Sequence, residues 1–313
     1  MKALFTYDYG EKKMNQIAEL GYDVMVVHEK LAKVDDRTKD AEVLVCYNPF
    51  VTLDIKKMTE LKWVQLTSIG IDQAPLAYIK EKNIILTNNK GGYSIPMGEF
   101  IVMKILELYK NSRGLYLQQQ QKKWHMDTSI KELYGKTVGF IGTGSIATEA
   151  AKRLQGFGVH IEGINTSGSP VEFFHKCYPM SSIKNTICNW DVMVLTIPHT
   201  NMTHHLINAS IMDKMKKEAT IINVSRGSII DEKAIAQYLH ENRIHAAALD
   251  VFEKEPLDHE SPLWNLENVI LTPHNSWISE MRDERRFQMI YDNMKRYIQH
   301  ERLHNMVDLI KGY

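Results

Sequence analysis

A glycine-rich turn between a predicted strand and a predicted helix is the first segment of this sequence that can bind a cofactor. After the apolar residues 138–141, the chain reads Gly142, Thr143, Gly144, Ser145, Ile146, Ala147. In a Gly-x-Gly-x-x-Ala turn the first glycine permits a tight turn and the second lets the backbone approach a pyrophosphate. The phosphates then lie at the helix N-terminus, where amide donors and the helix dipole favour an anion. An ordinary strand–helix turn has similar spacing, but the following strand at 159–164 favours dinucleotide binding.

The residues after that second strand decide which dinucleotide is predicted. An NAD-binding turn usually has Asp or Glu here, which accepts hydrogen bonds from the ribose hydroxyls. This sequence has Asn165, Thr166 and Ser167 instead. They carry no charge to repel a 2′-phosphate and can donate hydrogen bonds to one, so NADP(H) is favoured. No arginine follows and the nearest downstream lysine is Lys176, so NAD(H) stays possible.

Three further polar segments follow predicted strands and contain groups suited to acid–base chemistry. They hold Arg226 within 223–227, Glu255 within 249–257 and His274 within 271–274. Ligands of open α/β sheets bind beyond the carboxyl ends of the strands, where these side chains are expected. Each residue alone has an ordinary explanation, since the chain has 13 histidines and a salt-bridged arginine is common. Their occurrence together after a dinucleotide-binding turn predicts an active site.

Alternating strands and helices must position these residues. Apolar runs predict buried strands at 2–7, 22–27, 42–47, 63–67, 84–87, 138–141, 159–164, 192–197, 220–224, 246–250 and 269–271. Helical spacing predicts helices that include 11–20, 96–121 and 280–302. Strands that alternate with helices predict parallel βαβ units. The predicted fold class is therefore α/β, with two Rossmann-like doubly wound domains.

The predicted cofactor domain is inserted in the substrate domain. Residues 95–280 form the dinucleotide-binding Rossmann domain, and residues 1–94 with 281–313 form a flavodoxin-like substrate domain. The second stretch is the predicted C-terminal helix and its tail, which return to the first domain.

Composition limits the partners. The 313 residues are 44% hydrophobic and 24% charged with a formal net charge of +0, as in a soluble globular protein. No basic stretch predicts nucleic-acid binding, and no apolar run is long enough to predict a membrane span. The three cysteines lie far apart without metal-ligand spacing, so no metal is predicted and a cytoplasmic location is expected. The expected partner is a small molecule.

The sequence resembles the D-isomer-specific 2-hydroxyacid dehydrogenase family over nearly its whole length. The matching segments are 142–147, 225–227, 250–252 with Glu255-Pro256, and 272–274, with weaker matches at 68–72, 198–200 and Thr203. The resemblance implies two Rossmann-like domains with the active site in the cleft, and a homodimer built on the cofactor domains. It also implies an NAD(P)-dependent oxidoreductase acting on a small 2-keto or 2-hydroxy acid, such as glyoxylate or hydroxypyruvate.

The resemblance assigns roles that agree with what hydride chemistry requires. Arg226 binds the substrate carboxylate and carbonyl, and stabilises negative charge on the carbonyl oxygen. His274 donates the proton as the hydride arrives, and Glu255 orients its imidazole and favours the charged form. The predicted substrate ligands are Ser68, Ile69, Gly70, Arg226 and His274. The predicted cofactor ligands are Gly142, Thr143, Gly144, Ser145, Ile146, Asn165, Thr166, Ser167, Pro198, Thr203, Val224, Ser225 and Asp250.

Other activities on the same fold stay open. Formate dehydrogenases of this superfamily have Gln at the position of Glu255, which disfavours that activity, whereas phosphite oxidation and 3-phosphoglycerate oxidation are alternatives. A dinucleotide-sensing binding or scaffold protein of the corepressor type is a non-enzymatic alternative with similar catalytic residues. The family more often has small residues where this chain has Asn275, Ser276 and Trp277, so the substrate itself is not predicted.

Overall fold

A computed structural model describes residues 1–309 of the chain, which divide into two compact units. Unit 1 consists of Met1–Tyr93 and the segment that begins at Ser279, and unit 2 is Ser94–Ile278. These units divide at 93/94 and 278/279, whereas the domain boundaries predicted from the sequence are 94/95 and 280/281.

The strands and helices alternate along most of the described chain. The strands are β1 (Lys2–Phe5), β2 (Asp23–Val26), β3 (Val43–Cys46), β4 (Trp63–Leu66), β5 (Ile85–Thr87), β6 (Thr137–Ile141), β7 (His160–Asn165), β8 (Lys176–Pro179), β9 (Val192–Leu195), β10 (Thr220–Asn223), β11 (Ala246–Leu249) and β12 (Val269–Leu271). The α-helices are α1 (Glu11–Glu19), α2 (Leu76–Glu81), α3 (Ser94–Tyr109), α4 (Ser112–Gln120), α5 (Ser145–Leu154), α6 (Ile183–Thr186), α7 (Ala209–Met212), α8 (Glu232–His240) and α9 (Arg282–Ile298).

Unit 1 is a five-stranded parallel sheet with the strand order β2-β1-β3-β4-β5. This order is that of flavodoxin-like folds. Successive residues of β1 enter different apolar clusters, with Leu4 in one and Ala3 and Phe5 in the other, so both faces of the sheet are buried. Helix α9 completes one of these clusters with Phe287, Ile290 and Met294.

Unit 2 is a seven-stranded parallel sheet with the order β12-β11-β10-β9-β6-β7-β8. Counted from β6, this is the 3-2-1-4-5-6 order of dinucleotide-binding folds with one more strand, β12, at the edge. The strand order reverses between β6 and β9, and a ligand binds at such a switch point. The glycine turn that follows β6 lies there. The predicted fold class, with two doubly wound parallel sheets, is confirmed.

One local expectation was wrong, and one strand was missed. The single helix predicted over 96–121 is divided into α3 and α4 at Asn111, which has φ +46 and whose side chain accepts a hydrogen bond from the Gly114 amide (3.2 Å). This left-handed residue ends one helix and caps the next. Strand β8 was not predicted, because its four residues are a partly exposed edge strand without apolar alternation.

Within residues 1–309, none of the helices combines the length and the apolar composition that crossing a membrane requires.

Candidate active site

The glycine turn has the geometry that a dinucleotide pyrophosphate needs. Gly142 has φ +94, a left-handed conformation that favours glycine, and it turns the chain from β6 towards α5. Helix α5 has no capping side chain at its N-terminus, so the amides of its first turn are available to an anion. A methyl group on Gly144 would meet no atom within 4 Å, so space lies open beside this backbone. The residues present therefore fit the cofactor that the turn predicts.

The side chain of Asn165 is held by four hydrogen bonds. Its side-chain amide donates to the Ser169 carbonyl (2.9 Å) and to Thr143 Oγ1 (3.1 Å). Its oxygen accepts from the amides of Ser167 (3.2 Å) and Gly168 (2.6 Å). Both amide hydrogens thus have partners in the protein, one in this turn and one in the glycine turn, and the contact of Asn165 with the cofactor stays a prediction. The side chains of Thr166 and Ser167 are exposed, and Ser167 Oγ lies 2.7 Å from Ser169 Oγ.

Lys176 is too distant to supply the missing positive charge. In the register of the two strands, Lys176 lies opposite Glu162 at one end of β8, whereas Pro179 lies opposite Asn165 at the other end. Three residues of extended strand separate these positions by about 10 Å. The Lys176 ammonium lies over the Tyr178 ring, 4.7 Å from its centroid. A charge clamp for a 2′-phosphate is therefore not provided by this lysine.

The three predicted catalytic residues follow the carboxyl ends of three neighbouring strands. Arg226 comes after β10, Glu255 after β11 and His274 after β12, and these strands pair in parallel. Two strand spacings are about 10 Å, so the three loops start within reach of one small ligand. A methyl group on Gly227 would overlap the Phe252 carbonyl, so the first two loops are in backbone contact. The structure therefore places the loops that carry the three predicted residues next to one another.

His274 and Glu255 form an imidazole–carboxylate pair. His274 Nδ1 lies 2.9 Å from Glu255 Oε2, and Glu255 Oε1 accepts a hydrogen bond from the Phe252 amide (3.2 Å). The side chains are 38% and 39% exposed, so solvent or a ligand can reach them. Since Nδ1 faces the carboxylate, Nε2 is the nitrogen that can exchange a proton with a substrate.

Asp250 holds the loop that carries His274. His274 has φ +54, which is uncommon for a residue other than glycine and has to be stabilised by its surroundings. The Asp250 carboxylate, 1% exposed as a residue, accepts from Thr272 Oγ1 (2.6 Å) and from the amides of Asn275 (2.8 Å) and Ser276 (2.9 Å). Three of its four acceptor positions are occupied. The predicted contact of Asp250 with the cofactor stays a prediction, restricted to the position left on Oδ2.

Asn223 organises the turn that presents Arg226. Its Oδ1 accepts from the amide (3.0 Å) and hydroxyl (2.8 Å) of Ser225, and its Nδ2 donates to the Arg226 carbonyl (3.0 Å). Arg226 Nη1 in turn donates to the Ser225 carbonyl (2.8 Å). The sequence analysis placed Asn223 in the motif without a function, and an asparagine directly after an apolar strand-like run was the signal for one.

The loop after β9 is closed by internal hydrogen bonds. Thr203 Oγ1 accepts from the Thr200 amide (2.7 Å) and donates to the Pro198 carbonyl (2.8 Å). Farther along, His205 Nε2 lies 2.7 Å from Glu253 Oε1, which connects this loop to the one that carries Glu255. The sequence did not predict this second imidazole–carboxylate pair. Val224, a predicted cofactor ligand, is buried (3% exposed), so only its backbone is suited to such a contact.

The predicted substrate loop of unit 1 is likewise held from within. Ser68 Oγ donates to the Gly70 carbonyl (2.7 Å), and Asn88 Nδ2 donates to the Ile69 carbonyl (2.8 Å). These bonds use side-chain and carbonyl groups. The backbone amides, which are the groups predicted to bind the substrate carboxylate, are not used by them.

Known proteins resemble the chain in both sequence and structure. Residues 102–276 match the sequence model described as D-isomer specific 2-hydroxyacid dehydrogenase, NAD binding domain. A D-3-phosphoglycerate dehydrogenase of Methanocaldococcus jannaschii is 32% identical over 314 residues, which are 99% of this chain and 60% of that protein. A hydroxypyruvate reductase of Thermotoga maritima is 32% identical over 276 residues, 84% of this chain and 88% of that protein.

The structural comparison covers both units. The crystal structure of a D-isomer specific 2-hydroxyacid dehydrogenase from Xanthobacter autotrophicus Py2, in complex with NADPH and MES, has a TM-score of 0.86 at 26% identity. The match covers 100% of this chain and 99% of that one.

The fold and the relatives together define an oxidoreductase that uses a nicotinamide dinucleotide. The chain belongs to the D-isomer specific 2-hydroxyacid dehydrogenase family, as the resemblance implied.

Proposed function

We propose that the protein reduces a small 2-keto acid to the D-2-hydroxy acid, and catalyses the reverse oxidation, with NADP(H) as the favoured cofactor. The observation that carries the proposal is the His274–Glu255 pair, on a loop beside the one that presents Arg226. The hydroxypyruvate reductase among the relatives supports this substrate class.

The roles of the three residues follow from their chemistry. The cofactor, when bound, supplies the hydride that reaches the carbonyl carbon. His274 Nε2, protonated, gives its proton to the carbonyl oxygen, so a C–H and an O–H bond form as the C=O double bond becomes single. Glu255 fixes the orientation of the ring through Nδ1 and stabilises the imidazolium. Arg226 holds the substrate with its planar fork and stabilises negative charge on the reacting oxygen.

The remaining site residues are proposed as ligands from the position of their loops. Pyrophosphate is assigned to the turn formed by Gly142, Thr143, Gly144, Ser145 and Ile146. The nucleoside portions are assigned to Asn165, Thr166, Ser167, Pro198, Thr203, Val224, Ser225 and Asp250. The substrate carboxylate is assigned to backbone amides of Ser68, Ile69 and Gly70. A homodimer and a cytoplasmic location stay predictions.

NADP(H) is favoured because the turn after β7 has no carboxylate to repel a 2′-phosphate, and because Thr166 and Ser167 present hydroxyl donors. The relative from Xanthobacter autotrophicus was crystallised with NADPH, which agrees with this preference.

A spectrophotometric assay tests the function and the cofactor together. The purified protein is mixed with NADPH or NADH and with glyoxylate, hydroxypyruvate or pyruvate, and the absorbance of the reduced nicotinamide is followed. We expect turnover of at least one acid and a higher kcat/KM with NADPH. A clear preference for NADH would refute the cofactor assignment. Dinucleotide binding without turnover of any 2-keto acid would support the sensor or scaffold alternative.

Replacing Gly144 with alanine is expected to weaken dinucleotide binding by about tenfold or more, because the methyl group fills the space that the pyrophosphate needs. Stability should not fall, since that methyl group meets no atom within 4 Å. Isothermal calorimetry with NADPH gives the affinity and thermal denaturation gives the stability. Gly156→Ala is the matched control, because its methyl group also meets nothing within 4 Å, in the turn after α5. Equal NADPH affinity in both variants would contradict the assignment of the turn.

A further inference from the structure

His205 lies where the loop after β9 meets the segments that follow β10 and β11. Its amide donates to the Ser228 carbonyl (2.8 Å), two residues after Arg226. Its Nε2 lies 2.7 Å from Glu253 Oε1, two residues before Glu255. One residue therefore connects the segments that carry Arg226 and Glu255.

The His205 imidazole is a hydrogen-bond donor with a defined orientation. An ionised carboxylate only accepts hydrogen bonds, so the hydrogen of the contact with Glu253 lies on Nε2. The His204 ring stacks on the His205 ring, with the centroids 4.0 Å apart and the planes 19° apart. The imidazole is therefore held by contacts on its face and at its edge.

Glu253, the acceptor of this bond, lies beside a second carboxylate. Glu253 Oε1 accepts from the Glu232 amide (3.3 Å), and the Glu253 amide donates to Glu232 Oε2 (3.0 Å). Burial, and to a lesser extent the charge of Glu253, raise the pKa of the Glu232 carboxyl. Two adjacent carboxylates repel each other, and a donor bonded to one of them stabilises its charged form. His205 therefore stabilises Glu253 where the Glu232 carboxylate repels it.

The backbone next to Glu253 also determines the position of Glu255. Glu255 Oε1 accepts from the Phe252 amide (3.2 Å), and Glu255 Oε2 lies 2.9 Å from His274 Nδ1. Phe252 directly precedes Glu253, so a shift of Glu253 would displace the amide to which Glu255 is bonded. Because the Glu255 carboxylate orients His274, such a shift would reach the proposed proton donor.

We propose that His205 is a positioning residue for the reaction, which holds Glu253 and thereby keeps Glu255 in place against His274. The inference rests on the proposed function and adds a residue to it. The Nε2 atom of His205 is bonded to Glu253, so its role is to hold this loop. A misplacement of about 1 Å at a reacting group can cost about 10²-fold in rate. Loss of the bond is therefore expected to slow proton transfer more than it weakens substrate binding.

Removal of the imidazole in His205→Ala is expected to lower kcat about tenfold and to leave the KM of the 2-keto acid near the wild-type value. The bond from the His205 amide to Ser228 does not involve the side chain, so the loop itself keeps this attachment. His205→Gln places an amide donor near the position of Nε2 and should recover most of the lost rate.

His160→Ala is the matched control. It also removes an imidazole that lies near a carboxylate, since His160 Nε2 is 3.4 Å from Glu162 Oε1. His160 is the first residue of β7, at the amino end of the strand, whereas ligands of such sheets bind at the carboxyl ends. This variant should have the kcat and KM of wild type.

The solvent isotope effect separates misplacement from a folding defect. A smaller fraction of folded enzyme lowers kcat equally in light and heavy water, whereas slower proton transfer raises the ratio of the two kcat values. We expect this ratio to rise in His205→Ala and to return to the wild-type value in His205→Gln. The double variant with His205→Ala and Glu253→Ala should lose no more activity than Glu253→Ala, because the two side chains act through one bond.

Three outcomes would count against this role. An unchanged kcat in His205→Ala, or a loss of kcat with no change in the isotope effect, would overturn the inference while the proposed function stands. A higher KM at unchanged kcat would assign His205 to ligand binding and would overturn it as well. Absence of turnover in the wild-type protein would refute the proposed function itself, and the inference with it.

Discussion

Replacing His274 with alanine is expected to lower kcat by about 10²–10⁴-fold, the usual contribution of one general acid. Without the imidazole, the carbonyl oxygen can take its proton only from water. The glycine turn is in a different loop of unit 2, so the affinity for the dinucleotide should be kept. Steady-state kinetics with the preferred 2-keto acid gives kcat, and calorimetry with NADPH gives the dissociation constant.

Two further variants distinguish the loss of the proton donor from the effect of backbone strain at residue 274 and from the loss of a histidine elsewhere. His274 has φ +54, and asparagine tolerates this conformation better than alanine does, so His274→Asn removes the proton donor with less strain. It should be as inactive as the alanine variant. His240→Ala, at the exposed end of α8, controls for the loss of a histidine and should behave as wild type. Turnover near the wild-type value in either His274 variant would remove this residue from the mechanism.

Replacing Arg226 with alanine is expected to lower kcat/KM by about 10³-fold or more, with a rise in KM as well as a fall in kcat. The guanidinium is assigned two functions, binding of the substrate and stabilisation of the developing oxyanion, and removal of one oxyanion donor alone costs about 10²–10³-fold in kcat. Arg226→Lys should recover little activity, because an ammonium is a point charge and cannot form the two parallel bonds of a guanidinium.

The structure suggests how to exclude a folding defect in that experiment. Arg226 Nη1 donates to the Ser225 carbonyl, so thermal stability must be measured beside the kinetics. Arg243→Ala removes an exposed arginine that pairs with Asp213 and is the matched control. If Arg226→Ala reduced the 2-keto acid as efficiently as this control, the charge stabilisation assigned to Arg226 would be disproved.

The fold was largely predictable because its strands are apolar runs buried on both faces. Strands such as β3 and β9 are wholly buried, and such runs stand out from the amphipathic helices between them. Features that depend on single residues were not predictable to the same degree. The break between α3 and α4 depends on the left-handed conformation of Asn111, and a continuous helical pattern conceals it.

The chemical groups of the site were predictable, but the residues that position them were not. Arg226, Glu255 and His274 stand out because they follow buried strands and belong to a family pattern. The contacts of Asp250 with Asn275 and Ser276 connect positions about 25 residues apart, and no local pattern reports such a pairing. Residue type alone did not reveal the contacts of Asn165 either. Its amide suggested a hydrogen bond to a phosphate, and in the structure its side chain bonds within its own turn and to Thr143.

The placement of α9 in unit 1 determines when that unit can fold on the ribosome. Every residue of unit 2 is translated before α9, so unit 2 can fold while synthesis continues. The core of the N-terminal sheet is completed later, because Phe287, Ile290 and Met294 cover the side on which Phe5 and Trp63 lie. A nascent chain that ends before residue 282 would expose this aromatic surface, and chaperones bind such surfaces. We therefore expect unit 2 to fold before unit 1 is complete.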